Sequence, residues 1–407
     1  MKLAACQRFH PDTAPDGWTI EPIRNRLWLE YGSSLTDDER RTGEYPVFGS
    51  NGQVGTHDTY LVQAPGILVG RKGSVGEIHF SEKPFWPIDT VYYVKRLGED
   101  NWRFLFYMLG YLSLGQLNAA TGVPGLTRRD AHFIFGAFPK NGEQTEIATV
   151  LKMADEAILA AEAKLTAAKR VKTALMQQLF TRGIPGRHRD FVHTKWFSAP
   201  ASWSSRQLRQ ISKIESGFTM GRDLSGHETA EVAYLTVVNV LEGAFDLANI
   251  AQVIVKQTEL DGLLLRDGDI LMTEGGDRDK VGRGGLWHGQ IQPCVYQNHI
   301  FRVRLAPGTY KPELFHFLLQ TWHAKNYFYS HAKQTSNLCT INSREVKRFP
   351  LFEPSEDEQD EMIALLSASD DQVRAVEGEI AVLHRLKRSL LQNLLTGKVR
   401  VKLPETP

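Results

Sequence analysis

Cysteine is scarce in this chain: Cys6, Cys294 and Cys339 are its three thiols among 407 residues. No CxxC pair and no cysteine–histidine cluster accompanies them. That argues against a disulfide framework and a zinc site, and it predicts a reducing, cytoplasmic setting. Long apolar runs are lacking too. No stretch reaches the roughly 18 uninterrupted apolar residues of a membrane span, and the N-terminal MKLAACQRFHPDTAPDGW has no apolar core of signal-peptide length. Neither secretion nor membrane insertion is expected. The phosphate-cradling GxxxxGK[ST] loop is absent, which excludes an ATPase of that type. Excess charge of either sign is also missing. The chain has 48 Lys+Arg against 47 Asp+Glu, with 15 against 15 in residues 1–140 and 19 against 17 in residues 189–354. A nucleic-acid ligand would have to be held by local patches or with a partner's help.

What the chain does have is a long internal repeat at an offset of 215 residues: Glu143-Gln144 aligns with Glu358-Gln359, Ile147 with Met362, Lys172 with Lys387, Gln177 with Gln392, Leu179 with Leu394 and Thr181 with Thr396, without a gap. Both copies carry apolar residues spaced alternately four and three apart, the seam of a helix that packs on another helix. The first seam reads Ile147, Leu151, Ala154, Ile158, Ala161, Leu165, Ala168, Lys172, Leu175, Leu179. The second reads Met362, Leu366, Ser369, Val373, Val376, Ile380, Leu383, Lys387, Leu390, Leu394. Each seam covers 33 residues, about 50 Å of helix at 1.5 Å per residue. Both helices follow proline-bearing segments, carry acidic residues near their start and end near glycine, at Gly183 and Gly397.

One lysine interrupts each seam at the same position, Lys172 and Lys387. A parallel pair would set these two charges side by side. An antiparallel pair with Ala163 facing Gly378 puts Lys172 opposite Ser369 and Lys387 opposite Ala154, small residues past which a lysine stem could reach water. The antiparallel arrangement is the expected one.

Upstream of each helix lies a segment of similar size, opened by Trp18 and Trp203. Short β-branched or aromatic runs punctuated by glycine fill both: ILVGRKGSVGEIHF and TVYYVKR in the first, YLTVVNV, DILMTEGG and NHIFRVRL in the second. The apolar stretches FLFYMLGYL and ELFHFLLQTW then read as helices. The expected fold class is α+β: two mixed α/β domains in tandem, each followed by a long helix, the two helices pairing as an antiparallel coiled coil. The predicted segments are 1–140, 141–184, 185–354 and 355–400.

Glycines at 70, 73 and 76 could form a plain turn or bring Arg71, Lys72 and Ser74 to a phosphate. A basic, polar stretch precedes each helix, TGVPGLTRRD with Arg128 and Arg129, and AKQTSNLCTINSRE with Lys333, Gln334 and Asn337. Such side chains can address phosphates and base edges together. Lys213, Arg222, Lys280 and Arg283 complete the candidate DNA contacts.

These features together resemble a known family. Tandem variable domains, each closing with FPKNGEQTEI or FEPSEDEQDEM and running into a helix that ends LFTRGI or LLTGKV, resemble the specificity subunit of Type I restriction-modification systems, HsdS. PGILVGRKGSVGEIHF and TGVPGLT are similar to its target-recognition domains. The resemblance covers essentially the whole chain. It implies that each domain reads one half of a split, asymmetric sequence in double-stranded DNA, while the helices set the gap and dock two methyltransferase (HsdM) subunits. It further implies adenine-N6 methylation with S-adenosylmethionine by that partner, and cleavage with ATP and magnesium by two restriction (HsdR) subunits. No cofactor is implied for this chain. A spacer of roughly 50 Å corresponds to about 15 base pairs. With so little net positive charge, the chain is expected to bind DNA weakly unless its partners supply phosphate contacts.

An enzymatic reading finds little support. The Asn/Asp-Pro-Pro-aromatic stretch that grips a flipped adenine is absent. The acidic pairs Asp37-Asp38 and Asp277 with Asp279 come without a lysine-bearing nuclease constellation. Two alternatives remain open, a specificity subunit of a methylation-only or phage-defence system and a structural coiled-coil interaction protein.

Overall fold

The structure, a computed structural model, describes residues 8–117, 125–277, 280–334 and 338–402. It divides into two compact units, residues 1–163 with 378–407, and residues 164–377.

In the first unit, Leu27 and Leu29 point inward and Trp28 outward, the period-two pattern of a half-covered strand. This strand, Leu27–Tyr31, heads a four-stranded antiparallel sheet continuing through Val91–Arg96, Gly66–Gly70 and Ile78–Ser81. Gly66–Gly70 is buried throughout, as its unbroken Ile-Leu-Val run requires of an inner strand. The helix Trp102–Tyr111 begins where the Asn101 side chain accepts from the Arg103 and Phe104 amides, and it buries Phe104, Leu105 and Met108 in the core. A smaller sheet joins Gly52–His57, Tyr45–Gly49 and Trp86–Pro87, the first pair antiparallel and the second parallel.

The second unit repeats this plan. Its four-stranded sheet runs Ser212–Ser216, Ile300–Leu305, Ile270–Thr273, Gly284–Leu286, again all antiparallel. Its smaller sheet joins Ala251–Lys256, Thr229–Leu235 and Cys294–Tyr296 with the same antiparallel and parallel pairs. Helix Pro312–Leu319 takes the place of Trp102–Tyr111. The run YLTVVNV is not one strand. Asn239 Oδ1 accepts from both the amide and the hydroxyl of Thr236, folding Val237–Asn239 into a 3-10 turn after the strand ends at Leu235.

The long helices are Asn141–Arg182 and Glu356–Leu394, of 42 and 39 residues, each beginning six residues before its seam. Every seam position is buried or half-buried; Leu151 and Leu366 are fully enclosed, and Ile158 and Val373 nearly so, while Leu165, Leu175, Ile380 and Leu390 are half-buried. Gly183 and Gly397 adopt φ of +68° and +67°, a left-handed termination that favours glycine.

Contacts of the helix segments, and of the residues just after their ends, run in opposite directions inside each unit. In the second, Lys169 meets Glu377 at 2.8 Å, Lys172 meets Asp370, and Arg187 meets Glu361 at 2.7 Å. In the first, Lys387 meets Asp155 and Arg400 meets Glu143 at 2.6 Å. The seam lysines therefore do not simply pass small residues to water. Each binds an aspartate one position beyond the expected neighbour, Asp370 beside Ser369 and Asp155 beside Ala154, and these aspartates are themselves 215 residues apart. A part-buried cation gains more from a carboxylate than from an outlet to solvent. Lys172→Glu is expected to destabilise the second unit by about 1–3 kcal/mol, and Lys172→Glu with Asp370→Lys to recover most of the loss. Urea titrations of the four proteins give the coupling, and purely additive effects would reject the pair as a register device.

The repeated Glu-Gln dipeptide marks each helix start. Gln144 Oε1 accepts the Asn101 amide at 2.8 Å and its Nε2 donates to Pro139 O; Gln359 Oε1 accepts the Lys311 amide at 2.8 Å and its Nε2 donates to Pro354 O. Glu143 accepts from Trp18 Nε1 at 3.1 Å and Glu358 from Trp203 Nε1 at 2.9 Å. The two tryptophans that open the domains thus hold the carboxylates that begin the helices.

Candidate nucleic-acid interface

In the first unit the two basic motifs noted in the sequence meet. The Leu126 amide donates to Arg71 O at 2.9 Å, Lys72 bridges to Gly125, and Tyr92 Oη donates to Leu126 O at 2.9 Å. The glycines between the strands serve close packing: a Cβ on Gly70 would lie 2.0 Å from Ser74 O, and Gly76, at φ +78°, lies against the Gly115 backbone. The turn is thus a fixed structure that carries Arg71, Lys72 and Ser74, which settles why glycine stands there.

Two arginines of these motifs, Arg71 and Arg128, lie close to Tyr31. The Arg71 guanidinium lies 4.8 Å from the Tyr31 ring centroid and donates to Asp89 O at 3.0 Å. Arg128 lies 5.0 Å from the Tyr31 ring centroid and 5.2 Å from that of Trp28. Lys72 is 3.9 Å from Asp89, and Ser74 Oγ lies 3.5 Å from Asn51 Oδ1. Lys95 holds Glu30 at 3.2 Å. Arg129, on the same short helix Arg128–His132, is exposed. His132 Nε2 accepts the Leu29 amide at 3.0 Å, which ties that helix to the strand. Burial, then the guanidiniums of Arg128 and Arg24, hold the His132 pKa below the usual histidine value, which keeps the ring neutral for this contact.

The second unit builds the corresponding place from the corresponding segments. Ile341 donates to Glu274 O at 2.8 Å, as Leu126 does to Arg71 O, 215 residues earlier. Lys333–Gln334 and Gly275–Gly276 flank Cys339–Thr340 in a three-stranded ribbon, with Lys333 and Gln334 exposed and the Lys280 stem 3.5 Å from where a Gly276 side chain would be. Asn342 caps the following helix Ser343–Lys347 as Thr127 caps Arg128–His132. Arg283 lines a pocket of 320 Å³ with Trp322, Lys325 and Glu242. Lys213 and Arg222 are engaged on other elements, with Glu215 at 2.8 Å and with Glu259 at 2.5 Å. Asn337 and Asp279 lie outside the described residues.

Trp28, Glu30 and Tyr31 were not among the sequence candidates. The signal was present in the alternation Leu-Trp-Leu-Glu-Tyr, which puts a tryptophan on the solvent side of a strand. Among the described residues, no group of three or more His, Cys, Asp or Glu side chains could hold a metal ion, and no helix is long and apolar enough to cross a membrane.

Residues 30–168, which contain Trp28's neighbours Glu30 and Tyr31, both arginines and the first two thirds of a long helix, match the family model described as the Type I restriction modification DNA specificity domain. The chain's likeness to specificity subunits extends much further. The Type I restriction enzyme MjaVIII specificity subunit of Methanocaldococcus jannaschii is 22% identical over 425 residues, covering 97% of this chain and 96% of that protein. A second protein of that organism, named for the MjaX type I restriction enzyme specificity subunit, is 23% identical over 214 residues, 52% of this chain; the match spans about half of that relative, 49%. In fold, the chain resembles the crystal structure of the S subunit of a Type-I restriction-modification system from M. genitalium, with a TM-score of 0.59, 16% identity, and coverage of 93% of this chain and 96% of that one. A structure described as the basis of complex assembly and conformational transition of the type I R-M system gives 0.57 at 13% identity, covering 95% and 99%. The family resemblance read from the sequence is borne out, and the mixed α/β fold with it.

Proposed function

We propose that this chain is the DNA-reading specificity (HsdS) subunit of a Type I restriction-modification enzyme, in which each domain reads one half of a split, asymmetric target. The observation that carries this reading is the duplicated plan: two units of the same strand order, each bringing a glycine-bearing turn and a basic segment together at one place. Two different sets of side chains at equivalent places suit two different half-sites. Segments 1–140 and 185–354 are then the recognition domains, and 141–184 and 355–400 the spacer, an antiparallel coiled coil that sets the gap between half-sites. The opposed directions of the ion pairs within each unit support that pairing.

In this role the chain is not catalytic and binds no cofactor. Two HsdM subunits dock on the spacer and use S-adenosylmethionine, and two HsdR subunits use ATP and magnesium, all in the cytoplasm. Methylome sequencing of a host expressing the chain with its neighbouring methyltransferase gene, against a host lacking the chain, tests this. The expected result is a new split, asymmetric motif with N6-methyladenine on both strands. An assembled complex that yields no new motif would favour a structural interaction protein instead.

A further inference from the structure

The reading just given leaves open which side chains read bases and which only hold phosphates. Arg128 is distinguished by how it is held. Its guanidinium lies within about 5 Å of two ring centroids, those of Trp28 and Tyr31, on the strand Leu27–Tyr31. The backbone that carries it is pinned twice: Leu126, two residues earlier, is buried and bonded to Arg71 O and Tyr92 Oη, and His132, four residues later, accepts the Leu29 amide. The nearest carboxylate, Glu30, is 3.8 Å away, outside hydrogen-bond distance, and is shared with Lys95 at 3.2 Å. One third of the Arg128 side chain remains exposed.

A guanidinium held close to two rings, on a backbone pinned on both sides, has less freedom than one at the end of a free stem, and its planar fork is already formed. A phosphate contact needs only a positive charge nearby, which exposed Lys72 and Arg129 supply in the same motifs. A fixed planar fork suits a pair of acceptors lying side by side in one plane. In the major groove that pair is O6 and N7 of guanine. Arg71, by contrast, has one terminal nitrogen committed to Asp89 O.

We infer that Arg128, set by Trp28 and Tyr31, is a specificity-determining residue that reads one guanine in the half-site of the first domain. The inference rests on the specificity-subunit reading and deepens it.

The test uses the assembled methyltransferase complex. The wild-type methylome supplies the motif; a motif whose first-domain half contains no guanine on either strand overturns the inference at once. Duplexes carrying that motif are then made with 7-deazaguanine at each guanine of that half in turn. Wild-type complex is expected to lose about 5- to 150-fold in affinity at one position and little at the others. Arg128→Ala should be insensitive to 7-deazaguanine at that position, and its methylome should be relaxed there while the other half-site is read as before. Continued reading of that other half shows that the variant complex is assembled. Equal weakening on all sequences, or an unchanged motif, would assign Arg128 to phosphate contact or to packing and overturn the inference. A wild-type complex that binds no specific sequence would instead fail the functional reading itself.

Discussion

Glu358→Ala is expected to destabilise the second unit by about 3–5 kcal/mol, the range for leaving buried partners of a carboxylate unpaired. Its carboxylate is almost fully enclosed and accepts from three donors: the Ile184 amide at 3.2 Å, His188 Nε2 at 2.8 Å and Trp203 Nε1 at 2.9 Å. Burial pushes the carboxyl pKa up, and the bonds from His188, the Ile184 amide and Trp203 more than offset this, so the group stays ionised. Alanine leaves all three donors without an acceptor and opens a cavity between the helix start and the Trp203 ring. Glu358→Gln keeps the volume but offers one acceptor oxygen in place of two, so about half the loss is expected. Urea unfolding followed by tryptophan fluorescence measures both variants. A loss below about 1 kcal/mol for alanine would mean that the helix start holds without its carboxylate. Glu143, gripped by both Arg400 Nε at 2.6 Å and Nη2 at 2.7 Å, should behave alike in the first unit.

This role of Glu358 was only half legible in the sequence. The repeat marked Glu143-Gln144 and Glu358-Gln359 as corresponding residues, and acidic residues at a helix start are ordinarily read as dipole partners facing water. Nothing local indicates that Trp18 lies 125 residues from Glu143 yet donates to it, because that contact forms only when the first strand closes on the last. The helices were legible for the opposite reason: a heptad seam is a local pattern, and all its positions are buried or half-buried. The ion pairs of Lys172 with Asp370 and of Lys387 with Asp155 were less legible, for a physical reason. Apolar spacing fixes which faces meet, whereas a charged side chain reaches along the helix to the nearest carboxylate. At the candidate interface, arginine and lysine were visible as types in both basic motifs. The aromatic platform beneath Arg71 and Arg128 was not, since strand pairing brings Tyr31 opposite Tyr92 and the loops fold back over that edge.

Acidification from pH 7.5 to pH 5 should weaken the second unit. His316 is half-buried, with Nε2 accepting from Gln320 Nε2 at 3.0 Å, and Gln320 Oε1 in turn 3.3 Å from Lys172 Nζ. Burial first, then the positive charges of Lys172 and His288, depress its pKa to about 4, against an opposing pull from Asp370. A histidine whose folded pKa is lowered contributes stability that is fully present above its unfolded value of 6.5 and is lost as pH falls toward 4. At pH 5 the expected loss relative to pH 7.5 is about 2 kcal/mol. His316→Gln retains an acceptor for the Gln320 amide and carries no proton in this range, so its stability should change less between pH 7.5 and pH 5. Some slope should remain, because burial also lowers His323. The carboxylate at Glu358, with its lowered pKa, acts only below its ordinary value of 4.5, so its contribution falls in a separate, more acidic window. Urea midpoints of the two proteins at pH 7.5, 6 and 5 decide the matter. Parallel declines would place the proton uptake elsewhere, and a wild-type midpoint that rises on acidification would contradict the sign of the argument.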